Sequence, residues 1–385
     1  MNALQQIAIN TSPGPLYEAD FEQPISGGAA PARLIAYYLP QFHPTPENDR
    51  WWGKGFTEWT NVTKAVPRFV GHYQPRLPGE LGFYDLRRVE NLRRQAELAK
   101  KYGIFGFCFH YYWFSGTRLL DTPLSLLLAN PDIELPFCIN WANENWTRSW
   151  DGGNSEVLIG QDFSPEDDIA LCEALLPALR DSRYIRVNGR PLIMLYRPGV
   201  LPDAAATLDR WRSRLEAAGI GNPYLVMAQV YHEHDPRPWG FDAAAGFPPH
   251  RFGWGRQGYK ARQLLDPGYQ GVLFKYDEMV ERAVSASSEG YVYFPGVTPQ
   301  WDNEARKPGR GVCFVGSTPR KYGAWLEQAC DQALGAPSPD ERIVFINAWN
   351  EWAEGAYLEP DRHYGYAYLA ETARTLNRMA ASRAK

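Results

Sequence analysis

The sequence predicts an α/β fold: a single (β/α)8 barrel of the TIM type with long βα loops. Three observations carry that expectation. About eight short apolar runs, rich in β-branched and aromatic residues, alternate with about seven or eight stretches of helical period, which implies parallel strands joined by crossover helices. Nearly every run ends in aromatic or polar residues, as when barrel strands deliver side chains to one mouth at their C-terminal ends. The competing doubly wound sheet lacks its marks, since no Gly-x-Gly-x-x-Gly follows the first strand and no phosphate-binding loop is present. A chain of 385 residues suits one barrel with elaborated loops.

Residues 1–31 lack periodicity and are rich in Pro, Gly and Ala, so they are expected to form an extended N-terminal arm leading into one domain at 32–385. Leu34–Leu39 is the first strand and ends in Pro40-Gln-Phe-His43-Pro44. The next tract, Trp51-Trp-Gly-Lys-Gly-Phe-Thr-Glu58-Trp-Thr-Asn61, is too rich in Gly and Trp for regular structure and is expected as a functional loop. A helix over 86–102 aligns Leu86, Val89, Leu92, Ala96 and Ala99 on one face and stops at Gly103. Ile104–Phe109 is the second strand, ending in His110-Tyr-Tyr-Trp113. A shorter helix at 119–129 leads to the third strand, Pro136–Ile139, which ends in Asn140-Trp-Ala-Asn-Glu144-Asn-Trp146.

Ser164 and Pro165 open a helix to about residue 180, with Glu166, Asp167 and Asp168 complementing its dipole. Strands at 191–196, 224–229 and 242–247 follow, with a helix at 203–218 between the first two and a long loop expected at 248–271. A helix at 275–287 precedes a strand at Tyr291–Phe294. Thr318 and Pro319 start another helix, in which Tyr322, Trp325, Leu326, Ala329, Cys330 and Ala333 keep the 3.6-residue period. Ile343–Ile346 is the last strand, and a final helix is expected over 363–382.

A net charge of −4 and a pI near 6 leave no footprint for nucleic acid or an anionic membrane surface, and no run approaches a membrane span. Aromatic residues make up 14% of the chain, with 14 Trp and 22 Tyr, many beside Asn, Asp, Glu and His. That mixture suits a cleft in which the apolar faces of sugars stack on rings, although part of it must be core. The five cysteines form no Cys-x-x-Cys pair and are expected as buried free thiols. The N-terminus has no basic segment and no long apolar stretch of a signal peptide. A cytoplasmic location is therefore expected, or a periplasmic or secreted one if a leader has been trimmed.

The last strand passes at once into Asn347-Ala-Trp-Asn-Glu351-Trp-Ala-Glu354-Gly355. A helical turn there would set Glu351 and Glu354 on one face, with Cβ atoms ~5–6 Å apart. Two carboxylates that close repel when both are ionised, so one should keep a proton near neutrality. Glycoside cleavage needs that pairing, an acid for the departing oxygen and a base at the anomeric side. Trp349 and Trp352 bracket Glu351 as an enclosed sugar site would; the plain alternative is a solvated loop with surface acids.

Glu144 ends another strand among Asn140, Trp141, Asn143, Asn145 and Trp146, a cluster suited to sugar hydroxyls, and is the rival catalytic carboxylate. Asp302 and Glu304 are candidate contacts at a further strand end, with surface acids the alternative. Tyr37, Tyr38, His43, Trp52, Glu58, Trp59, His110, Tyr111, Tyr112 and Trp113 would line the same mouth together with Trp349, Asn350 and Trp352. Packing is the competing role for each. His232-Glu-His234-Asp235 has a His-x-His spacing but no evident third and fourth ligand, so no metal is expected, and no cofactor either. Neither a Gly-x-Ser-x-Gly elbow nor a Cys/His nucleophile signature is present.

Five motifs in order carry a family resemblance: Tyr37-Tyr-Leu-Pro-Gln-Phe-His-Pro44, Gly55-Phe-Thr-Glu-Trp-Thr-Asn61, Phe109-His-Tyr-Tyr-Trp-Phe114, Asn140-Trp-Ala-Asn-Glu-Asn-Trp146 and Asn347-Ala-Trp-Asn-Glu-Trp-Ala-Glu-Gly355. Over about residues 33–375 the chain resembles the WbsX-type proteins of bacterial surface-polysaccharide gene clusters, whose domain is related to glycoside hydrolase family 99. The resemblance implies a (β/α)8 retaining enzyme acting on α-mannosides or α-mannans, with Glu351 as the base that deprotonates the substrate's own 2-hydroxyl. Glu354 is implied as the general acid and then the base, through a 1,2-anhydro sugar. The family commonly has His before the second Glu, where this chain has Ala353, and that difference bears on the substrate.

The expected partner is therefore a polysaccharide or oligosaccharide, a mannan or a D-rhamnan-like polymer of bacterial or fungal origin. A glycosyltransferase or transglycosylase of surface-polysaccharide (O-antigen) assembly is the second reading, though no phosphate cradle or DxD-type metal site is clear. A non-catalytic carbohydrate-binding barrel is the third.

Overall fold

The computed structural model describes residues 1–20, 30–148, 156–252, 258–286 and 290–383. Its centre is a barrel of nine parallel segments: β1 (Arg33–Tyr38), β2 (Gly106–Phe114), β3 (Phe137–Trp141), β4 (Arg190–Leu195), β5 (Tyr224–Gln229), β6 (Ala243–Gly246), β7 (Val292–Phe294), β8 (Gly296–Val297) and β9 (Ile343–Ile346). Neighbours in the sheet follow chain order from β1 to β7, and β9 pairs with both β1 and β8. β7 and β8 are one stave interrupted at Pro295: its first half pairs Ala243–Ala245, and its second pairs Phe345 and Ile346. A proline cannot donate to a ladder, yet its carbonyl still accepts from Phe345 N at 2.9 Å, so the stave continues across the break. Nine segments therefore make eight staves, at the eight places where the sequence predicts strands.

The staves are buried on both faces. Ile343, Val344, Phe345 and Ile346 have no solvent exposure, nor do Ala243, Ala244 and Ala245. Each such large apolar side chain contributes about 1.5–3 kcal/mol by leaving water, and this two-sided burial is why the strands read as continuous apolar runs. The outer layer is α4 (Val89–Lys101), α5 (Thr122–Ala129), α6 (Pro165–Leu179), α7 (Ala204–Ala217), α8 (Tyr276–Val284), α9 (Pro319–Leu334) and α10 (Ala367–Arg383). Ser164 caps α6 by accepting from Asp167 N, and Thr318 does the same for α9 from Lys321 N, each followed by a proline at the first helical position. Between β5 and β6 only the short 3-10 turn Arg237–Trp239 intervenes. All five cysteines are buried free thiols.

Two expectations about local structure are corrected. The N-terminal segment is not wholly extended, because α1 (Ala3–Asn10) forms behind a capping box in which Asn2 and Gln5 satisfy each other's backbone. The Trp-rich tract is also regular, giving α2 (Pro46–Trp52) and α3 (Glu58–Lys64). Thr45 and Thr57 supply the caps, and Pro46 opens α2. A side sheet of Val272–Lys275, Val312–Val315 and Trp301–Asp302 lies outside the barrel path and has no counterpart among the predicted strands. Residues 21–29 of the N-terminal segment and 253–257 of the tract 248–271 fall outside the described residues. No helix among the described residues is long and apolar enough to cross a membrane.

Candidate active site

β9 ends in a miniature hairpin. Asn350–Glu351 pairs antiparallel with Ala356–Tyr357, and the tip is a 3-10 turn, Trp352–Glu354. In such a turn residues three apart eclipse, so Glu351 and Glu354 share a face as their spacing predicts. Gly355 closes the turn at φ +60°, and a Cβ there would come within 2.9 Å of the Arg76 guanidinium and 3.1 Å of Asp302 Cβ. Gly355→Ala meets both the left-handed backbone and that crowding, so a loss of about 1–3 kcal/mol is expected, read as a lowered thermal midpoint.

One cation organises the acids. Arg306, buried, presents each guanidinium nitrogen to a different carboxylate: Nε to Glu58 Oε1 at 2.9 Å, Nη2 to Glu351 Oε2 at 3.0 Å and Nη1 to Glu354 Oε1 at 2.5 Å. Glu58 opens α3 and is fully buried, and its second oxygen has no hydrogen-bond partner among the described residues. Three carboxylates around one guanidinium leave an excess of negative charge in a poorly solvated place, so the cluster favours holding a proton. Burial pushes Glu351 up to about 8, against the pull of Arg306 and with Glu354 and Glu58 adding to the push. Burial raises Glu354 too, again opposed by Arg306.

His110 on β2 faces the pair, its Nε2 4.0 Å from Glu351 Oε1. This is a contact and not an ion pair, because burial and the nearby Arg306 lower the imidazole to about 4. Asn140 Nδ2 lies 3.1 Å from His110 Nδ1; as the donor it leaves the ring proton on Nε2, towards Glu351. Tyr37, fully buried, stacks beneath His110.

A cleft of about 770 Å³ opens over these groups. Glu351, Glu354 and Arg306 line it together with Lys307 and Asn347. Tyr112, Trp146, Tyr196, Phe247 and Trp301 supply an aromatic lining, and Asn143, Glu144, Gln161, Arg197, Tyr231 and His250 supply polar groups. The polar groups are mutually fixed. Asn143 Nδ2 donates to Arg197 O and its Oδ1 accepts from Arg197 N, both at 2.8 Å. Arg197 Nη1 is 2.6 Å from Glu144 Oε1, and its guanidinium sits 4.3 Å from the centre of the Tyr231 ring. Glu144 is thereby engaged as an ion-pair partner.

Of the residues singled out from sequence, the structure brings His110, Tyr112, Asn143, Glu144, Trp146, Glu351 and Glu354 to the cleft. Tyr37, Glu58 and Asn140 lie directly behind its lining. The others are placed elsewhere, chiefly because successive side chains of a strand point to opposite faces. Tyr38 turns outward to Gln95 of α4 (2.9 Å), Trp113 reaches Asp167 of α6 (2.9 Å), Tyr111 packs under Arg118, and Trp141 packs on Trp211 of α7. Trp59 donates to Tyr84 O and packs on Trp352, His43 is buried, and Trp52 is half-buried under Arg148.

The tryptophans that bracket Glu351 are scaffold. Trp349 packs on Phe107. Trp352 stacks on Tyr357 with centroids 3.8 Å apart and donates to Glu359 Oε2 at 2.6 Å. Asn350 bonds the backbone of Leu39 through both ends of its amide. Glu359 also accepts from Gln95 and Tyr84, and burial raises it to about 7. A carboxyl raised on folding stabilises fully below its unfolded value, and that stabilisation fades as pH climbs through the folded value. Glu359→Gln is therefore expected to flatten the fall in stability between about pH 4.5 and 7, a span worth about 3 kcal/mol, as followed by denaturant melts across pH.

Asp302 and Glu304 are also scaffold. Asp302 is bonded to His72 (2.9 Å) and Gln74 (2.8 Å), and Glu304 to Arg68 (2.5 Å) and Gly309 N (2.7 Å). Among the described residues, His72, Asp302 and Cys313 have ligand-type atoms within 4.8 Å of one another. Both His72 nitrogens are already engaged, Nδ1 by Arg68 N and Nε2 by Asp302, and Arg76 Nη2 is 3.8 Å from the carboxylate. That set is a hydrogen-bonded hub rather than a vacant metal cage. His232 is exposed and stands outside it.

Arg306, Tyr196, Arg197, Phe247, His250 and Trp301 are among the cleft residues that the sequence does not single out. Tyr196 ends a predicted strand and follows the same strand-end rule as the others. Arg306 closes the polar run Trp301-Asp-Asn-Glu-Ala-Arg306, and its position beside the acids depends on tertiary folding alone.

The eight staves, with the Glu351–Glu354 pair at the mouth formed by their C-terminal ends, define a (β/α)8 barrel. Comparison with solved structures agrees on the fold. A protein described as glycoside hydrolase-like superposes with a TM-score of 0.57 at 15% identity, covering 98% of this chain and 99% of its own. A glycoside hydrolase family 99 endo-α-mannosidase from Bacteroides thetaiotaomicron gives 0.54 at 17%, covering 91% and 98%. The chain belongs to the WbsX family, described as glycosyltransferase WbsX, whose profile matches residues 34–372. Two proteins of Xanthomonas campestris pv. campestris, from strains B100 and ATCC 33913, both described as uncharacterized protein WxcX, are 47% identical over 349 residues. That match covers 90% of this chain, which spans about half the length of these relatives.

Proposed function

We propose that the protein is a retaining glycoside hydrolase that cleaves an α-linked, manno-configured polysaccharide, a mannan or a D-rhamnan-like polymer, with the substrate's 2-hydroxyl as internal nucleophile. The observation that carries this reading is the pair of buried Glu351 and half-buried Glu354, held on a turn at the barrel mouth by one guanidinium and opening onto the aromatic cleft. Glu351 takes the proton of the 2-hydroxyl, and that oxygen attacks the anomeric carbon from the face opposite the leaving group. The glycosidic bond breaks, and the departing oxygen takes the proton of Glu354. Water, deprotonated by Glu354, then opens the 1,2-anhydro sugar while Glu351 returns its proton to O2. Two inversions give net retention.

In the free site burial favours the proton on Glu351. A sugar hydroxyl donating to that carboxylate stabilises its ionised form, and repulsion within the pair then favours the proton on Glu354. Bound substrate therefore sets the protonation that the first step requires. The family's glycosyltransferase description favours a second reading, transfer of the same glycosyl group to a sugar acceptor in place of water. Digestion of purified bacterial and fungal mannans and rhamnans, with products sized and anomers assigned by NMR, tests both. α-Configured reducing ends are expected from hydrolysis, whereas elongated products appearing only with added acceptor would favour transfer. No change in any of these polymers would reject the proposed substrate class.

A further inference from the structure

We infer that helix α1 is a positioning element of the active site, acting through Asn10 and Gln6 from the far side of the Arg306 segment. The inference rests on the proposed hydrolase reading for its kinetic consequences, but the structural brace stands on its own geometry. Asn10, buried, donates through Nδ2 to His72 O and Gln74 O, both at 2.7 Å, and its Oδ1 accepts from Gln6 Nε2 at 2.9 Å. Gln6 Oε1 accepts from Gly71 N at 2.8 Å. Two side chains on one face of α1 thus satisfy three backbone groups of segment 71–74. Buried backbone groups are strongly held where partners exist, because leaving them unpaired is costly.

Segment 71–76 then grips the catalytic apparatus. His72 Nε2 and Gln74 Nε2 both reach Asp302 Oδ2, at 2.9 and 2.8 Å. Asp302 Oδ1 accepts from Glu304 N at 3.1 Å, two residues before Arg306, and Arg76 Nη1 donates to Gln300 Oε1 at 2.7 Å. Asp302 and Arg76 are also the groups against which Gly355 closes, next to Glu354. The brace therefore meets the pair by two routes, through the segment carrying Arg306 and through the turn carrying Glu354. All its links are buried polar contacts except the part-buried one between Gln6 and Gly71 N. Opposite them, Leu4 on the same helix is 77% exposed, so the outer face of α1 makes no comparable demand.

The groups that act on the Glu351–Glu354 pair are Arg306, Glu58, His110, Tyr112, Tyr196, Tyr231 and Lys307. A loosened Arg306 segment weakens the one cation that all three acids share. The expected kinetic signature of Asn10→Ala is a fall of about tenfold in kcat with KM nearly unchanged, plus an ascending limb of the pH–rate profile displaced to higher pH. Gln6→Ala should give a smaller change in the same direction, and Leu4→Ala none. Hydrogen exchange supplies a readout independent of turnover. In the 385-residue chain carrying Asn10→Ala, amides of 71–76, 300–307 and 350–357 should exchange faster, while those of β2–β5 keep their protection.

Unchanged exchange in the three segments, or faster exchange there with wild-type kcat and pH profile, overturns the inference. If both Asn10→Ala and Gln6→Ala lose protection throughout the barrel, α1 is a general stabiliser and the positioning role is rejected. A wild-type protein that cleaves no α-manno polymer, yet shows the local exchange response to Asn10→Ala, would reject the hydrolase reading and leave the brace intact.

Discussion

Glu351→Gln and Glu354→Gln are each expected to lower polysaccharide cleavage by about 10²–10⁴-fold while the barrel stays folded, and the two should differ with the leaving group. In the proposed mechanism Glu354 gives its proton to the departing oxygen, so an aryl glycoside whose leaving group needs no proton should partly restore the first step in Glu354→Gln. Glu351, in the same proposal, acts on the 2-hydroxyl whatever departs, so that substrate should not rescue Glu351→Gln. Steady-state rates on polymer and on an activated aryl α-mannoside or α-rhamnoside separate the roles. Rescue of Glu351→Gln in place of Glu354→Gln would exchange the assignments, and near wild-type rates in either would remove that residue from the mechanism. Amide replacement keeps the shape of each side chain and one acceptor towards Arg306, so loss of fold is not the expected cause.

The second large effect is expected at Arg306. Arg306→Gln leaves the buried Glu58 and Glu351 and the half-buried Glu354 around one another without their cation. Removing one partner of a buried ion pair typically costs about 3–5 kcal/mol. Part of that is recovered by protonation, which fixes the sign of the pH dependence. Without the guanidinium the folded-state values of Glu351 and Glu354 rise further above the unfolded carboxyl value, so the folded protein binds more protons than the unfolded chain. Stability of the variant should be best preserved near pH 4.5 and should fall as pH rises through 8. Thermal melts at pH 5 and pH 8 check this: the deficit relative to wild type should be larger at pH 8. An equal deficit at both would mean that Arg306 acts through packing and not through charge. Activity should fall together with stability, with the ascending limb of any residual pH profile moved upward.

The barrel was legible because its strands are buried on both faces, and an unbroken run such as Ile343–Ile346 announces that directly. The mini-helices α2 and α3 were not legible. They are shorter than two full periods and are specified by the caps Thr45 and Thr57, while their Trp and Gly content suggested irregular chain. The acids were legible for a reason only half correct. Glu351 and Glu354 do lie at the mouth, but Trp349 and Trp352 anchor the turn from behind instead of flanking a sugar. Aromatics on both faces of a strand gave no means of telling Tyr112, which lines the cleft, from Tyr111, which does not. Arg306 was the least legible of all, since its Glu58 partner is 248 residues away and no local pattern links the two.

The division of the cleft wall has a consequence for how such proteins diversify. Glu351, Glu354 and the cation that holds them are tied into one block with α3 and the side sheet, whereas Asn143, Glu144, Trp146, Arg197 and Tyr231 come from the segments after β3, β4 and β5. On the proposed function, exchanges in those segments would reshape which glycan is gripped while the block around Arg306 keeps its charge balance. Relatives with different polymer preferences should accordingly differ most across positions 142–161, 196–200 and 230–250, and a graft of those three segments should carry preference from one barrel to another.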